Sequence, residues 1–466
     1  MTDRKSSGPA ASAELVAMQR SFFNSGATRP VSFRIENLKK LYNALTAYEP
    51  QILEALRTDL GKSDFESFST EILILSTEIK QMIKNVSRWT KASKRSAGLL
   101  NFPSKAKVYH DPHGVCLIMS PWNYPLQLTL TPLAGAIAAG NTAIIKPSAY
   151  SAATSQVLID LIGKTFPPEY IAAVGGGRDV NQDLLKQHFD YIFFTGSTTV
   201  GKFVMESAAK FPTPVTLELG GKSPCIIGKT ANIDLSAKRA AWGKCINSGQ
   251  TCIAPDYFLV HEDIQDTFIS KVQEYIEKFY GAEPHKNPEF PHIINRNHFD
   301  RLTGLIDDAR KTHTVTGGRS DPDTLRIEPA IIKGTSWTDK VMEEEIFGPV
   351  IPILTWNDED AIINTILQRP RPLALYIFTT DKKQAKRFLN LIPFGGGCIN
   401  DTVMHIASHS LPFGGTGESG IGSYHGKTSF ETFSRMKPVI EKSLRLDVPL
   451  RYAPFAGKYK KFRKFF

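Results

Sequence analysis

Residues Val115–Ser148 read VCLIMSPWNYPLQLTLTPLAGAIAAGNTAIIKPS, and this pattern points to the fold class. A short apolar run, Val115–Met119, ends at a turn stiffened by Pro121 and Pro125. The apolar stretch after it is broken by Pro132, Gly135, Gly140 and Asn141. It suits a buried helix running into a strand better than a membrane span. A second short run, Thr142–Ile145, then leads into Lys146-Pro147-Ser148.

Outward from this stretch the pattern recurs at YIFF (191–194), CIIG (225–228), YFLV (257–260) and VIPIL (350–354). Repeated strand–turn–helix units imply a mainly parallel sheet covered by helices on both faces, an α/β fold. Ligands in such folds sit at the carboxyl ends of strands, so the residues after each run are the ones to inspect. Upstream, Leu38, Leu41 and Leu45, then Ile52, Leu53, Leu56 and Leu60, recur at helical spacing, with Gly61 as a stop. A second α/β region begins near Leu219 and runs to about Ile406, with an amphipathic stretch at Asp266–Phe279. The polar, basic segment KASKRSAGLLNFPSKAKVYHD (91–111) reads as a projecting hairpin or a linker.

The chain of 466 residues, 41% hydrophobic, is long enough for a sizeable core in more than one domain. Its formal charge of +10 owes much to the terminal KYKKFRKFF, which carries five basic and no acidic residues. The rest of the surface is near balance, which argues against a nucleic-acid partner. Five cysteines, odd in number and never spaced CxxC, argue against a disulfide framework and a zinc site. His405 and His409 lack a third ligand, so no metal is expected. The polar N-terminus has no secretory core, and the expected location is cytoplasmic.

The chemistry-bearing segments lie in turns and at the ends of strand-like runs. Asn247-Ser-Gly-Gln-Thr-Cys252 sets a thiol in a small glycine-containing turn, where backbone N–H dipoles favour the thiolate; a plain buried cysteine is the alternative. Glu218 lies between Leu217 and Leu219, where burial raises a carboxyl toward the range of a general base. Its alternative is a solvent-facing glutamate on an edge strand. Asn123, held between Pro121 and Pro125, has an amide that can donate to an oxyanion, or the segment is a rigid turn with a buried Trp. In Phe194-Thr-Gly-Ser-Thr-Thr-Val-Gly201 a strand meets a Ser/Thr-rich helix start suited to a phosphate, or simply well capped. Lys146 stands at another strand end, placed for a ribose or phosphate. The GxGxxG at Gly415–Gly420 has no preceding strand and reads as a turn.

PWNYP (121–125), FTGST (194–198), ELGGKSP (218–224), NSGQTC (247–252) and EEIFGPV (344–350) together resemble the aldehyde dehydrogenase superfamily, over roughly residues 30 to 440. The ending LPFGGTGESGIGSYHGKTSFETFS (411–434) resembles its class 3 and fatty-aldehyde branch. The resemblance implies two open doubly wound, Rossmann-like domains with a small β oligomerisation arm. The cofactor-binding domain is expected over 1–97 and 113–218, a bridging hairpin over 98–112 and the catalytic domain over 219–406. Residues 407–466 would form the return, an oligomerisation segment and the tail. It implies that Cys252 forms a thiohemiacetal with an aldehyde, its oxyanion held by Asn123 and the Cys252 N–H. Glu218 would activate the water that hydrolyses the resulting thioester.

Lys146 and Ser148 would lie near the adenosine ribose of NAD or NADP; Gly196, Ser197 and Gly201 near the pyrophosphate; Glu345 and Phe347 at the nicotinamide ribose and ring. Ala149 departs from the family, which often has an acid there to grip the ribose 2′-hydroxyl. Dual NAD and NADP use is therefore expected, Lys146 being free to pair with a 2′-phosphate. Tyr124, Trp242 and Met404 flank the proposed catalytic segments as pocket wall or as ordinary core. The branch implies medium- to long-chain aliphatic or aromatic aldehydes and a homodimer. The tail Tyr452–Phe466 alternates aromatic and basic residues, as a peripheral membrane contact or as a solvated or packed tail. The rival functions are a coenzyme A-acylating aldehyde dehydrogenase and a non-catalytic structural protein on the same fold.

Overall fold

The computed structural model describes residues 9–447 and 449–463. Its first sheet has six strands, in the order Gly420–Ile421, Val215–Glu218, Tyr191–Thr195, Val115–Met119, Thr142–Lys146 and Ile171–Ala173. All neighbouring pairs are parallel except the short Gly420–Ile421, which runs antiparallel to Val215–Glu218. Every residue of Val115–Met119, Thr142–Lys146 and Tyr191–Thr195 is buried, which is why these strands are continuous apolar runs rather than alternating ones. The crossover between the first two is the helix Gln127–Ala139, buried along its whole length with Pro132 inside it.

The second sheet has seven strands, in the order Thr314–Gly317, Ala330–Lys333, Val350–Trp356, Tyr257–His261, Pro224–Ile227, Ala374–Phe378 and Gly396–Ile399. Only Thr314–Gly317 is antiparallel to its neighbour. A third, antiparallel sheet of Ser93–Arg95, Ser104–Pro112 and Ser434–Lys442 joins segments far apart in the chain, and Met436 (69% exposed) and Ile440 (51%) lie open on it.

The helical reading of the first hundred residues meets Val31–Ala47 and Glu49–Leu60, whose Leu38, Leu41, Leu45, Ile52, Leu56 and Leu60 are buried. Gly61, at φ 66°, caps the second in the left-handed conformation that glycine adopts without steric cost. The GxGxxG segment is a short 3-10 turn leading into Gly420–Ile421, and it lays that strand against Glu218. Among the described residues no helix is long and apolar enough to cross a membrane.

Candidate active site

Segments from the two large sheets meet at a cavity of about 1460 Å³. Its wall includes Asn123, Tyr124, Glu218, Trp242 and Cys252. Gly196, Ser197, Glu345, Phe347 and Met404 line it too. Lys146, Ser148 and Gly201 do not. Lys146 is buried at the end of its strand, where Nζ donates to the Pro147 carbonyl at 2.8 Å and burial brings its pKa down to about 8. Ser148 Oγ accepts the Tyr150 N–H at 3.3 Å, and its carbonyl accepts from Ser155 Oγ at 2.7 Å. Gly201 serves packing: a Cβ there would come within 2.5 Å of Leu219 Cδ2.

Cys252 follows an unusual turn. The helix Ile233–Cys245, capped by the Asn232 side chain, delivers the chain to Asn247 (φ 50°, ψ 32°) and Ser248 (φ 53°, ψ 33°), both buried. A left-handed non-glycine residue costs about 1–3 kcal/mol and persists only where its surroundings over-determine it. Here they do. Asn247 Nδ2 donates to the carbonyls of Asn123 (2.8 Å) and Gln250 (3.2 Å), while Gln250 Nε2 donates to Asn247 O (3.1 Å) and His292 O (3.0 Å). Gly249, at φ 73°, passes so close to Gly348 that a Cβ would lie 2.4 Å from its carbonyl oxygen.

The expectation that N–H dipoles favour the Cys252 thiolate is corrected in balance. Burial pushes the thiol up, Glu345 and Glu218 push it further, and the N–H groups of Cys252 and Ile253 only partly offset them. The balance favours the protonated thiol over the thiolate.

Asn123 is buried opposite this turn. Its Nδ2 donates to Gln250 O at 3.0 Å, and among the described residues the second amide hydrogen is uncommitted and Oδ1 has no partner. Tyr124 is more than a wall residue: its hydroxyl shares a 2.7 Å hydrogen bond with Thr251 Oγ1, directly before the thiol.

Glu218 ends a strand paired on both sides, to Thr195 and to Gly420, so the edge-strand alternative does not hold. It is 3% exposed, neither carboxyl oxygen has a partner among the described residues, and burial pushes its pKa well above the ordinary carboxylate value. Glu345 packs against Gly220, where a Cβ would come within 1.9 Å of its Oε2. Burial raises its pKa to about 8, with Asp256 adding and the Gly221 N–H, Lys222 and Arg301 opposing. Phe347 meets Trp122 edge-on at 5.4 Å.

Several features fit a dinucleotide. The N-terminus of the helix Thr198–Ala208 faces the cavity through Thr198 and Thr199, with Ser197 as its N-cap, and offers N–H groups to a phosphate. Beside it, Thr195 Oγ1 is buried without a partner among the described residues.

Reading the sequence alone missed four charged residues. Lys222 lies inside ELGGKSP; its Nζ donates to Asp256 (2.5 Å), Val341 O (3.0 Å) and Glu344 O (2.8 Å), tying that segment to the one bearing Glu345. Glu66 and Glu71 come from the N-terminal helices and Lys62 from the short connection between two of them, in a region where only helical spacing was visible. The one signal was a lysine directly after the Gly61 stop and a glutamate set against Ile72-Leu73.

A family model described as the aldehyde dehydrogenase family matches residues 5–439. The chain is 47% identical over 447 residues to the 4,4'-diaponeurosporen-aldehyde dehydrogenase of Staphylococcus aureus, covering 96% of this chain and 97% of the relative. It is 43% identical over 449 residues to aldehyde dehydrogenase family 3 member A2 of Mus musculus, covering 96% and 92%. A solved structure, described as the substrate bound state of Staphylococcus aureus AldH, superposes with a TM-score of 0.95 at 46% identity, covering 97% of this chain and 98% of that one.

Proposed function

From the premise that this chain belongs to the aldehyde dehydrogenase family, we propose that Cys252 is its nucleophile, Glu218 its general base and Asn123 its oxyanion donor. The family couples aldehyde oxidation to NAD or NADP. The Cys252 thiol loses its proton to water, and Sγ adds to the aldehyde carbon as the C=O π pair moves onto oxygen, forming a thiohemiacetal anion. The carbonyl oxygen becomes an oxyanion, accepting from the free N–H of the Asn123 amide and from the Cys252 N–H. The oxidised dinucleotide, when bound, supplies the hydride acceptor and a positive charge that favours ionisation of the neighbouring acidic groups. The carbon is left as a thioester on Cys252. Glu218 then takes a proton from water, whose oxygen attacks the thioester; the C–S bond breaks and the acid departs.

The observation that carries this reading is the unpartnered Glu218 carboxyl facing the same cavity as the Cys252 turn. It favours hydrolysis over transfer to coenzyme A, because a thiol acceptor needs no activated water.

For the cofactor, Ser197 and the helix behind it would take the pyrophosphate, Glu345 the nicotinamide ribose and Phe347 the ring. Lys146 and Ser148 would take the adenosine ribose, with Gly196 and Gly201 shaping the approach. We assign 1–97 and 113–218 to cofactor binding, 98–112 to a bridging hairpin, 219–406 to catalysis and 407–466 to the return and oligomerisation segment. Tyr124, Trp242 and Met404 give the cavity an aromatic and apolar wall suited to medium- or long-chain aliphatic or aromatic aldehydes. The test is the initial rate of reduced-cofactor formation with hexanal and benzaldehyde. Turnover without coenzyme A is expected; a strict requirement for coenzyme A would replace hydrolysis by acyl transfer. Because Ala149 offers no carboxylate to repel a 2′-phosphate, kcat/KM for NAD+ and NADP+ should differ by less than about a hundredfold. A larger gap would refute dual use.

The exposed Met436 and Ile440 on the three-stranded sheet would be covered in a homodimer. In the tail, Tyr452, Phe455 and Tyr459 are exposed among basic residues, a pattern suited to an anionic membrane surface; residues 464–466 lie outside the described residues. Deleting residues 456–466 should lower binding to anionic liposomes without lowering turnover, as a co-sedimentation assay reads; unchanged binding would dispose of the membrane contact. The five cysteines are free, in keeping with a cytoplasmic location.

A further inference from the structure

Two residues with no assigned part in the reaction hold the loop that carries Asn123. Lys62 and Glu71 are fully buried, a costly place for two charges unless geometry compensates them. Lys62 Nζ donates to Glu71 Oε1 at 2.7 Å and to the Asn123 carbonyl at 3.0 Å, and it lies 4.0 Å from the centroid of the Tyr124 ring. The other carboxylate oxygen, Glu71 Oε2, accepts the N–H groups of Leu126 (2.9 Å) and Gln127 (3.2 Å), where the buried helix Gln127–Ala139 begins. The Pro121–Pro125 loop is thereby gripped at its middle and at its exit by one ion pair.

Glu71 sits in a π-helical turn, Phe68–Ile72, a rare conformation that often marks functional positions. One turn earlier, the carboxylate of Glu66 accepts the N–H of Asn247 at 2.6 Å, at the start of the left-handed turn before Cys252. The carbonyl of Asn123 is itself shared between Lys62 and the Asn247 amide. Residues 62–71 therefore brace the two loops that must stand at a set separation for an oxyanion to reach both Asn123 and the Cys252 N–H.

We propose that Lys62 and Glu71 are positioning residues for oxyanion stabilisation, acting through the Asn123 loop rather than on the substrate. This rests on Asn123 being the oxyanion donor. An oxyanion donor must meet a position occupied only in the transition state, so a small displacement lowers the rate more than binding. The signature is a fall in kcat with little change in KM or in cofactor dissociation constant.

The test is a double-mutant cycle between Lys62→Met and Asn123→Ala, read as kcat/KM for hexanal and as the single-turnover rate of cofactor reduction. Lys62→Met should lower both by about ten- to a hundredfold in the wild-type background, as expected for a misplaced donor. In the Asn123→Ala background it should lower them by less than about threefold, because residues acting through one another are non-additive. Lys62→Arg, which keeps the cation, should recover part of the rate. An equal loss in both backgrounds would overturn the proposal, since a general structural fault adds to any other. Should Asn123→Ala cost nothing, the oxyanion role itself falls, and the proposal with it. Because Lys62→Met strands a buried carboxylate, the cycle is repeated with Lys62→Met/Glu71→Met, which removes both charges and restores apolar packing. The same non-additivity with Asn123→Ala is expected, and full activity in that variant would also overturn the proposal.

Discussion

Cys252→Ala is expected to abolish aldehyde-dependent cofactor reduction, a loss on the order of 10⁴-fold or more, as for removal of a covalent nucleophile. The expectation follows from where the thiol stands. The turn before it holds two left-handed residues at 50° and 53° in φ, both fully buried, and the first of them, Asn247, is fastened to Asn123 and Gln250. Such strain is maintained by several long-range hydrogen bonds, and it brings the thiol to the wall shared with Glu218. Alanine fits the same backbone with one atom fewer, so folding and cofactor binding should be unchanged. The measurement pairs initial rates with cofactor titration followed by protein fluorescence. Persisting turnover above about a hundredth of wild type would remove Cys252 from the chemistry and bring the non-catalytic reading of the fold forward. The raised pKa of this thiol adds a second expectation. Alkylation by iodoacetamide should accelerate as pH rises and as oxidised cofactor is added, because both favour the thiolate.

Glu218→Gln is expected to lower steady-state kcat by about 10²- to 10⁴-fold, the range for loss of a general base. A rapid burst close to one equivalent of reduced cofactor should remain, because acylation of Cys252 does not use this carboxylate in the proposed sequence. Stopped-flow absorbance separates the two phases. Loss of the burst along with turnover would place Glu218 in acylation instead, and an unchanged kcat would remove it from the mechanism.

The same residue predicts two pH effects. Burial raises the folded-state pKa of Glu218 above its ordinary 4.5. The base works deprotonated, so the wild-type deacylation rate should climb with pH beyond the usual carboxylate range, and this limb should vanish in Glu218→Gln. For stability the sign follows from linkage. Below the unfolded pKa both states hold the proton and burial of the neutral acid carries no charge penalty. As pH rises from about 4.5 toward the raised folded value, the unfolded chain ionises first and stability is lost. Glutamine is neutral throughout, so thermal melts should show the variant gaining on wild type as pH increases. This residue would thus trade stability for activity.

The sequence by itself determined the α/β class, because a buried parallel strand must be an apolar run and its crossover a helix, and both patterns are local. It made the candidates Cys252, Glu218 and Asn123 visible from local pattern too: Glu218 ends such a run, Asn123 follows one between two prolines, and Cys252 lies in a glycine-containing turn. What only the tertiary structure decided lies where sequence neighbours are not space neighbours. Lys62 reaches Asn123 across 61 positions, and Glu66 reaches Asn247 across 181. A helical period says only that such residues lie on one face, not what they meet there. The protonation of Cys252 was equally out of reach, because nearby N–H dipoles are local whereas burial and the fields of Glu345 and Glu218 come from the assembled cavity. Lys146, Ser148 and Gly201 mark the same boundary from the other side. Their motifs place them at strand and helix ends, but whether the Lys146 side chain opens onto the cavity or turns to the Pro147 carbonyl, and how closely Leu219 packs on the backbone of Gly201, is decided by packing between distant elements.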